Sequence, residues 1–341
     1  MKKSATLLLL AALGALLVPT STPVAEAPHM LNFGTVAPDD TPWADQLIGA
    51  KKRIEAESNG QVKVRVFLGA SLGSEVEMIQ DVARGERIQG GGFSTGAVGE
   101  AADVPLLLLP ELPYLFRSFE EADAILDNVL FEPAAAALAA KGFILGSWAE
   151  NGWRCFATKG GAATTPELLS QYKMRAQESD VHMNMYARLG TQAVAKPTSE
   201  VLPALNTGIV DGFDNTPLFS LAAGWMGPVT HYTLSRHIYQ PAAILYSKNF
   251  MNKLPDALQK VIIGDPAQEA RDGRVGVRSL EAELLQTIRD MGKEVVELTP
   301  EQRRVFVKQT RDVHVQFLGA HPELKPIYAQ VKGVLKSMRQ K

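Results

Sequence analysis

Two arginines and an asparagine stand where short apolar runs end, and together they could hold an anion: Arg154, Arg175 and Asn215. An arginine keeps its charge at any accessible pH, and its planar fork matches a carboxylate through two parallel hydrogen bonds. Arg154 lies in an apolar run between Trp153 and Phe156, and its plain alternative is a surface arginine laid over aromatic rings. Arg175 repeats the situation at the end of a strand predicted over 173–176, where open α/β sheets place their ligand crevices. Asn215 sits in the run Asp211 to Pro217, predicted to follow a third short strand at Ile209 and Val210. Its amide offers donor and acceptor and Pro217 stiffens the exit, although such a run is also an ordinary turn with Asx chemistry. Recurrence favours the site: three strand ends in one region carry Arg, Arg and Asn, a set suited to a carboxylate and its neighbouring polar groups.

A second chemistry has to be weighed. Gly92-Phe93-Ser94-Thr95-Gly96 fits the G-x-S-x-G pattern of a hydrolase nucleophile elbow, with Asp214 and His231 following in workable order. An elbow passes directly from strand into helix. The stretch after it holds Gly99, Pro105 and Pro110, and no helix is expected between Val98 and Pro110. The six histidines and the single Cys155 show no ligand spacing. Glu178, Asp214 and Glu200 are acidic groups near the candidate site without a metal-binding arrangement, so neither metal nor cofactor is expected.

The elements that must position these residues alternate. A strand over Met30–Val36, a helix from Trp43 to Ile54 stopped at Asn59-Gly60, and a strand with Val62, Val64 and Val66 on one face give a β-α-β order. Ser74 and Glu77 form a capping box for a helix ending at Gly85, and Ser118 with Glu121 opens an Ala- and Leu-rich helix that stops at Gly142. Strands follow at 143–148 and 153–158, the latter alternating Trp153, Cys155 and Ala157 against Arg154, Phe156 and Thr158. Pro166 opens a helix after a threonine cap, Ser179 caps a helix to Leu189, and Ser199 caps another ending at Gly208. Beyond Ser247 the pattern becomes long helices, broken at Gly264–Pro266. Alternation of this kind indicates mostly parallel sheet covered by helices.

With 341 residues, 46% of them apolar and 21% charged, the chain exceeds one ordinary core and is expected to form two α/β lobes around a cleft. The formal net charge of −2, with no polybasic run outside the C-terminal tail around Lys332 to Lys341, which reads as a solvated helix end, leaves nothing for nucleic acid. Lys2 and Lys3 precede the uncharged run Ala5 to Val18, and Ala25-Glu26-Ala27 offers small residues for cleavage, the pattern of a secretory signal peptide over 1–27. The run is shorter than the roughly 20 residues a bilayer requires. No cysteine lies near that site to take a lipid, so the mature chain is expected free in the periplasm.

The runs 151–156 (NGWRCF), 173–179 (KMRAQES) and 205–215 (LNTGIVDGFDN), with 72–78 (LGSEVEM) and 110–116 (PELPYLF) upstream, together resemble the solute-binding proteins of tripartite ATP-independent periplasmic (TRAP) transporters. The resemblance covers essentially the whole mature chain. It implies a two-lobed periplasmic binding fold with a long bracing helix, an organic acid held by an arginine salt bridge, and membrane transporter subunits as partners. It assigns the carboxylate clamp to Arg175, a second arginine to Arg154 and a ligand-contacting asparagine to Asn215, with first-lobe contacts from Glu75, Phe93 and Thr95. The lobes would divide as 28–150, 151–235, a return with the bracing helix over 236–275, and C-terminal helices over 276–341, mainly on the second lobe. Phe213 and Asp214 replace a more usual polar pair, and Trp225, Tyr232, Tyr239, Gln240 and Pro241 add aromatic and amphipathic groups. If these line the cleft, the ligand is larger or more apolar than a simple dicarboxylate. A subgroup with hydrophobic ligands and an additional periplasmic helical-repeat lipoprotein is similar in the same segments.

Overall fold

The computed structural model describes residues 27–340. Residues 1–26 of the expected signal segment, 1–27, lie outside the described residues.

Strand β1 (His29–Thr35) leads to helix α1 (Pro42–Glu57), whose cap Thr41 accepts from Ala44 N and whose first residue is a proline. Asn59 and Gly60 take positive φ and turn the chain into β2 (Val62–Phe67), which runs parallel to β1 with Val62 and Val64 buried and Lys63 and Arg65 exposed. The Ser74–Glu77 capping box opens α2 (Glu75–Arg84), and Gly85 ends it in the left-handed conformation. Then comes β3 (Gly90–Ser94), again parallel to β1. Its glycines let strands approach closely: a Cβ on Gly91 would lie 2.0 Å from Gly34 O.

Helix α3 (Thr95–Ala101) follows β3 without a break, contrary to the expectation that Val98 to Pro110 lacks a helix. Gly96 and Gly99 hid it, because both are packed tightly against neighbours and serve close approach, not chain termination. A 3-10 stretch, Pro105–Glu111, buries Leu106 to Leu109. Helices α4 (Phe119–Ile125) and α5 (Phe131–Ala140) are joined by a π turn at Leu126–Leu130. Ser118 Oγ accepts from Glu121 N, but the Glu121 carboxylate returns to Arg117 N instead of Ser118, so only half of the expected capping box forms.

Strand β4 (Phe143–Thr158) is one continuous strand of 16 residues where two were expected. The second half of the fold follows with α6 (Pro166–Leu169), β5 (Met174–Ala176), α7 (Asp180–Arg188), β6 (Ala193–Ala195), α8 (Thr198–Asn206), β7 (Gly212–Asn215) and α9 (Pro217–Ala222). Three expectations are corrected here. Ser179 stands at the start of α7 but its hydroxyl caps nothing; α8 begins before Ser199, behind Pro197; and the third strand is Gly212–Asn215, not Ile209 and Val210. Gly and Asp are depleted in strands, so burial between neighbours decides that last assignment, not propensity.

The 17-residue β8 (His231–Ser247) returns antiparallel along β4 through the middle of the molecule. After it come α10 (Lys248–Met251), α11 (Asp256–Ile263), α12 (Pro266–Ser279), α13 (Glu281–Asp290), β9 (Glu294–Glu297), α14 (Pro300–Ala320) and α15 (Lys325–Met338). The strand order is β2-β1-β3-β8-β4-β7-β5-β6, with β9 beside β8. Parallel β1, β2 and β3 form one half, parallel β5, β6 and β7 the other, and the antiparallel β4–β8 pair runs through both. Register breaks after Leu145, Glu150 and Arg154 bend this pair, and Gly152 has φ +110, a conformation that favours glycine. The break after Arg154 interrupts the face alternation expected for 153–158.

Helix α12 lies on β4 and α1. Arg274 on it is paired with Asp127 at 2.7 Å, and Arg278 with Asp123 and Glu150, both at 2.6 Å. The next helix, α13, packs on α9 of the second half, so α12 and α13 together brace both lobes.

Candidate ligand-binding cleft

A narrow cleft lies between the halves. Val36 after β1, Trp43 on α1, Glu75 and Val76 on α2, and Ser94 and Ala97 line it from the first half. Asn151, Arg154, Arg175, Gln177, Glu178, Thr198, Asn215, Phe219 and Gln240 line it from the second half and the long strands. Of the ten residues singled out from sequence, Glu75, Arg154, Arg175, Asn215 and Gln240 therefore converge on one cavity. Phe93, Thr95, Phe213, Asp214 and Trp225 do not line it, and each has a packing role instead.

Arg175 is 2% exposed. Its Nε and Nη2 donate to Lys196 O at 2.9 and 2.6 Å, and its guanidinium carbon lies 5.4 Å from the Trp225 ring. Nη1 has no acceptor among the described residues, and no carboxylate pairs with the group. Burial, reinforced by repulsion from Arg154, lowers its pKa to about 10, so it stays charged at neutral pH. A buried arginine held in this way, with one amino group free of protein acceptors among the described residues, has the geometry to pair with a carboxylate.

Arg154 is equally buried but already paired. Its Nε donates to Asp214 Oδ2 at 2.6 Å, Nη1 to Gln240 Oε1 at 2.7 Å, and Nη2 to the backbone oxygen of Asp214 at 2.5 Å. Asp214, fully buried, also accepts from Tyr186 Oη at 2.7 Å. Burial alone would raise its pKa, but Arg154 above all, with His237 and His182, holds it well below the usual carboxylate range. Asp214 is thus the counterion that fixes Arg154. Phe213 packs edge-on to Trp225 at 5.2 Å, Phe93 is core, and Thr95 Oγ1 donates to Glu111 Oε1 at 2.8 Å. Tyr232 and Tyr239 donate to Asn215 O and Glu150 Oε2, and with Trp225 they form the walls, not the lining.

The remaining polar groups are graded by how much capacity they have left. Gln240 is saturated: its Oε1 accepts from Asn151 and Arg154, and its Nε2 donates to Glu111 Oε2 and Gln177 Oε1. Asn215 Oδ1 accepts from Asn151 Nδ2 at 3.1 Å and Thr216 N at 2.8 Å, while its Nδ2 has no acceptor among the described residues. Trp43 Nε1 is buried without a partner. Glu75 accepts from Ser94 N at 2.6 Å and from Ser94 Oγ at 2.9 Å. Burial nevertheless raises the Glu75 pKa to about 7, so the cleft holds a carboxyl group that is about half neutral at physiological pH.

Sequence reasoning missed Trp43, Asn151, Gln177 and Phe219. Gln177 could have been found, since it lies two residues beyond Arg175 and shares its face of the extended chain. Trp43 and Phe219 carried no local signal that separates them from core residues. Ser94 caps α3 with an ordinary φ of −62°, and its hydroxyl is occupied by Glu75 and Gln177 with no histidine beside it. Among the described residues no group of three or more His, Cys, Asp or Glu could hold a metal ion.

Two sheet halves joined by the long β4–β8 pair, with a lined cavity between them, are the architecture of a cleft receptor for a small solute. Residues 33–319 match the family model of the bacterial extracellular solute-binding proteins, family 7. A solute-binding protein of Verminephrobacter eiseniae is 32% identical over 266 residues, 78% of each chain. The fold matches a TRAP periplasmic solute-binding protein of Chromohalobacter salexigens, crystallised with d-glucuronate, at TM-score 0.84 and 24% identity over 89% of this chain and 99% of that one. It also matches one from a Polaromonas species bound to D-erythronate, at TM-score 0.83 and 26% identity over 89% and 98%. This chain belongs to family 7, the carboxylate-binding receptors of TRAP transporters, whose characterised members are periplasmic.

Proposed function

We propose that this receptor takes a hydroxylated monocarboxylate, a sugar acid or aldonate, and delivers it to TRAP membrane subunits without chemical conversion. The observation that carries the reading is Arg175: a buried guanidinium in the cleft without a carboxylate partner. It is also the lining cation left for a ligand, because Arg154 is spent on Asp214. A second ligand carboxylate would meet Glu75 and Glu178, which line the same cavity. Hydroxyls, by contrast, find donors at Trp43 Nε1 and Asn215 Nδ2 and acceptors at the Glu75 and Glu178 carboxyl groups. The Polaromonas relative's D-erythronate is a ligand of this chemical kind.

Closure of the lobes about β4 and β8 excludes water and strengthens the arginine–carboxylate bond, and differential affinity for the closed form drives it. The lobes divide near Glu150, with α12 bracing both, and export through cleavage after Ala27 places the receptor in the periplasm. Ser94 donates to Glu75 and accepts from Gln177, and no histidine is among its hydrogen-bond partners in the described residues, which supports a receptor in preference to a Ser-His-Asp hydrolase. The aromatic residues that would favour a hydrophobic ligand and a helical-repeat lipoprotein are packed in the walls, so the membrane subunits are the partners in this reading. Isothermal titration against d-glucuronate, D-erythronate, succinate and glucose tests it. The hydroxy acids should bind at least about ten-fold more tightly than succinate, with no binding of glucose. Succinate as the tightest ligand would refute the monocarboxylate assignment.

A further inference from the structure

A second concavity, about 1400 Å³, shares no lining residue with the ligand cleft. It lies between α14, α15 and the segment from Pro113 to Glu120. Eight of its lining residues are Lys or Arg against three Glu, in a chain whose formal net charge is −2. Four of those cations, Arg117, Lys308, Arg311 and Lys332, have side chains without an ion pair or hydrogen bond to any described residue, whereas Glu281 and Glu297 are engaged by Arg236. Partial desolvation and repulsion from Arg339, Arg117 and Arg311 lower the Lys332 pKa, against the pull of Glu121, which pairs with Arg339, so several like charges lie around this exposed amine. His314 adds no charge: burial lowers its pKa, Nε2 donates to Pro113 O at 2.8 Å and Nδ1 accepts from Tyr328 Oη at 2.9 Å.

The groove is apolar as well as basic. Val307, Arg311 and Val315 recur every four residues on α14, and the two valines are 42% and 66% exposed. The Tyr114 hydroxyl, buried in the groove wall, has no partner among the described residues. Uncompensated like charges beside exposed apolar side chains destabilise a free surface, and an occupant of opposite charge with apolar groups of its own relieves both. At about 1400 Å³ the groove is larger than the roughly 300–1,000 Å³ of small-molecule sites, and a concave surface does not conform to a flat bilayer.

We propose that this groove docks an acidic polypeptide segment carrying interspersed apolar side chains, at a site independent of the ligand cleft. The carboxylates of such a segment lie over Arg117, Arg311 and Lys332, and its apolar groups over Val307 and Val315.

The test is fluorescence anisotropy with a labelled poly(Glu,Tyr) 4:1 copolymer. The mature protein should bind it, with affinity falling steeply as salt rises. The double variant R311E/K332E should bind at least about ten-fold more weakly, and V307S/V315S several-fold more weakly, through charge and apolar terms respectively. All four positions are at the surface, so unchanged thermal unfolding of both variants separates docking from folding. Equal binding by wild type and R311E/K332E overturns the proposal, as does polyglutamate binding as tightly as the copolymer. Binding to vesicles rich in phosphatidylglycerol without binding to the copolymer also overturns it. None of these readouts involves the solute cleft, so their failure leaves the receptor assignment untouched.

Discussion

Replacing Arg175 by Met separates binding from folding, because the arginine is buried without a counterion. A carboxylate placed 4 Å from the guanidinium at an effective dielectric constant of 20 gains about 4 kcal/mol, about a thousand-fold in Kd. Desolvation of the incoming carboxylate reduces this. The desolvation of Arg175 contributes little further cost, since the protein alone already leaves the side chain 2% exposed. Truncating one partner of a buried charge pair costs about 2–5 kcal/mol in comparable interfaces, so R175M should weaken d-glucuronate binding at least about 30-fold. The unliganded protein should behave differently. Met fills most of the volume and loses the two bonds to Lys196 O, about 1–2 kcal/mol, but removes an uncompensated buried charge that costs several kcal/mol. Urea unfolding of R175M without ligand should match or exceed wild type, while calorimetric titration shows the affinity loss. Wild-type affinity in R175M would refute the clamp, and a large loss of stability without ligand would show that the arginine is structural.

The converse holds for Arg154: R154M leaves the carboxylate of Asp214 buried without its main partner, and the urea midpoint should fall by an amount equivalent to about 3–5 kcal/mol. Affinity should follow ligand pH through Glu75, whose pKa is raised to about 7. Below that value the group is neutral and does not repel an anion; above it the charge opposes binding, so Kd should rise between pH 6 and 8, by at most about ten-fold per unit for one linked proton. E75Q should flatten this dependence in titrations at both pH values, and an unchanged slope would remove Glu75 from the ligand's field.

Local signals were sufficient for much of the scaffold. The Ser74–Glu77 capping box, the Gly85 stop, the Thr165–Pro166 start and the alternation of Val62 and Val64 all act within a few residues, and each appears where its chemistry dictates. They failed where packing overrides propensity: α3 runs through Gly96 and Gly99, and β7 through Gly212 and Asp214, because neighbouring elements require close approach or supply a buried partner.

The sequence by itself determined which groups could act. An arginine in a buried strand must meet an anion, and Arg154, Arg175 and Asn215 were legible on that ground as candidates in one region. Only the tertiary structure decided between the two arginines. Asp214 is sixty residues from Arg154 along the chain, and the pairing of β4 with β7 brings them together and consumes that charge within the protein. Arg175, one strand further along the sheet, receives a backbone carbonyl and an indole but no carboxylate, and so keeps an unmet charge facing the cleft. Residue type is local, but whether a charge is already compensated depends on long-range contacts, and that difference is the ground for proposing Arg175, and not Arg154, as the ligand's clamp.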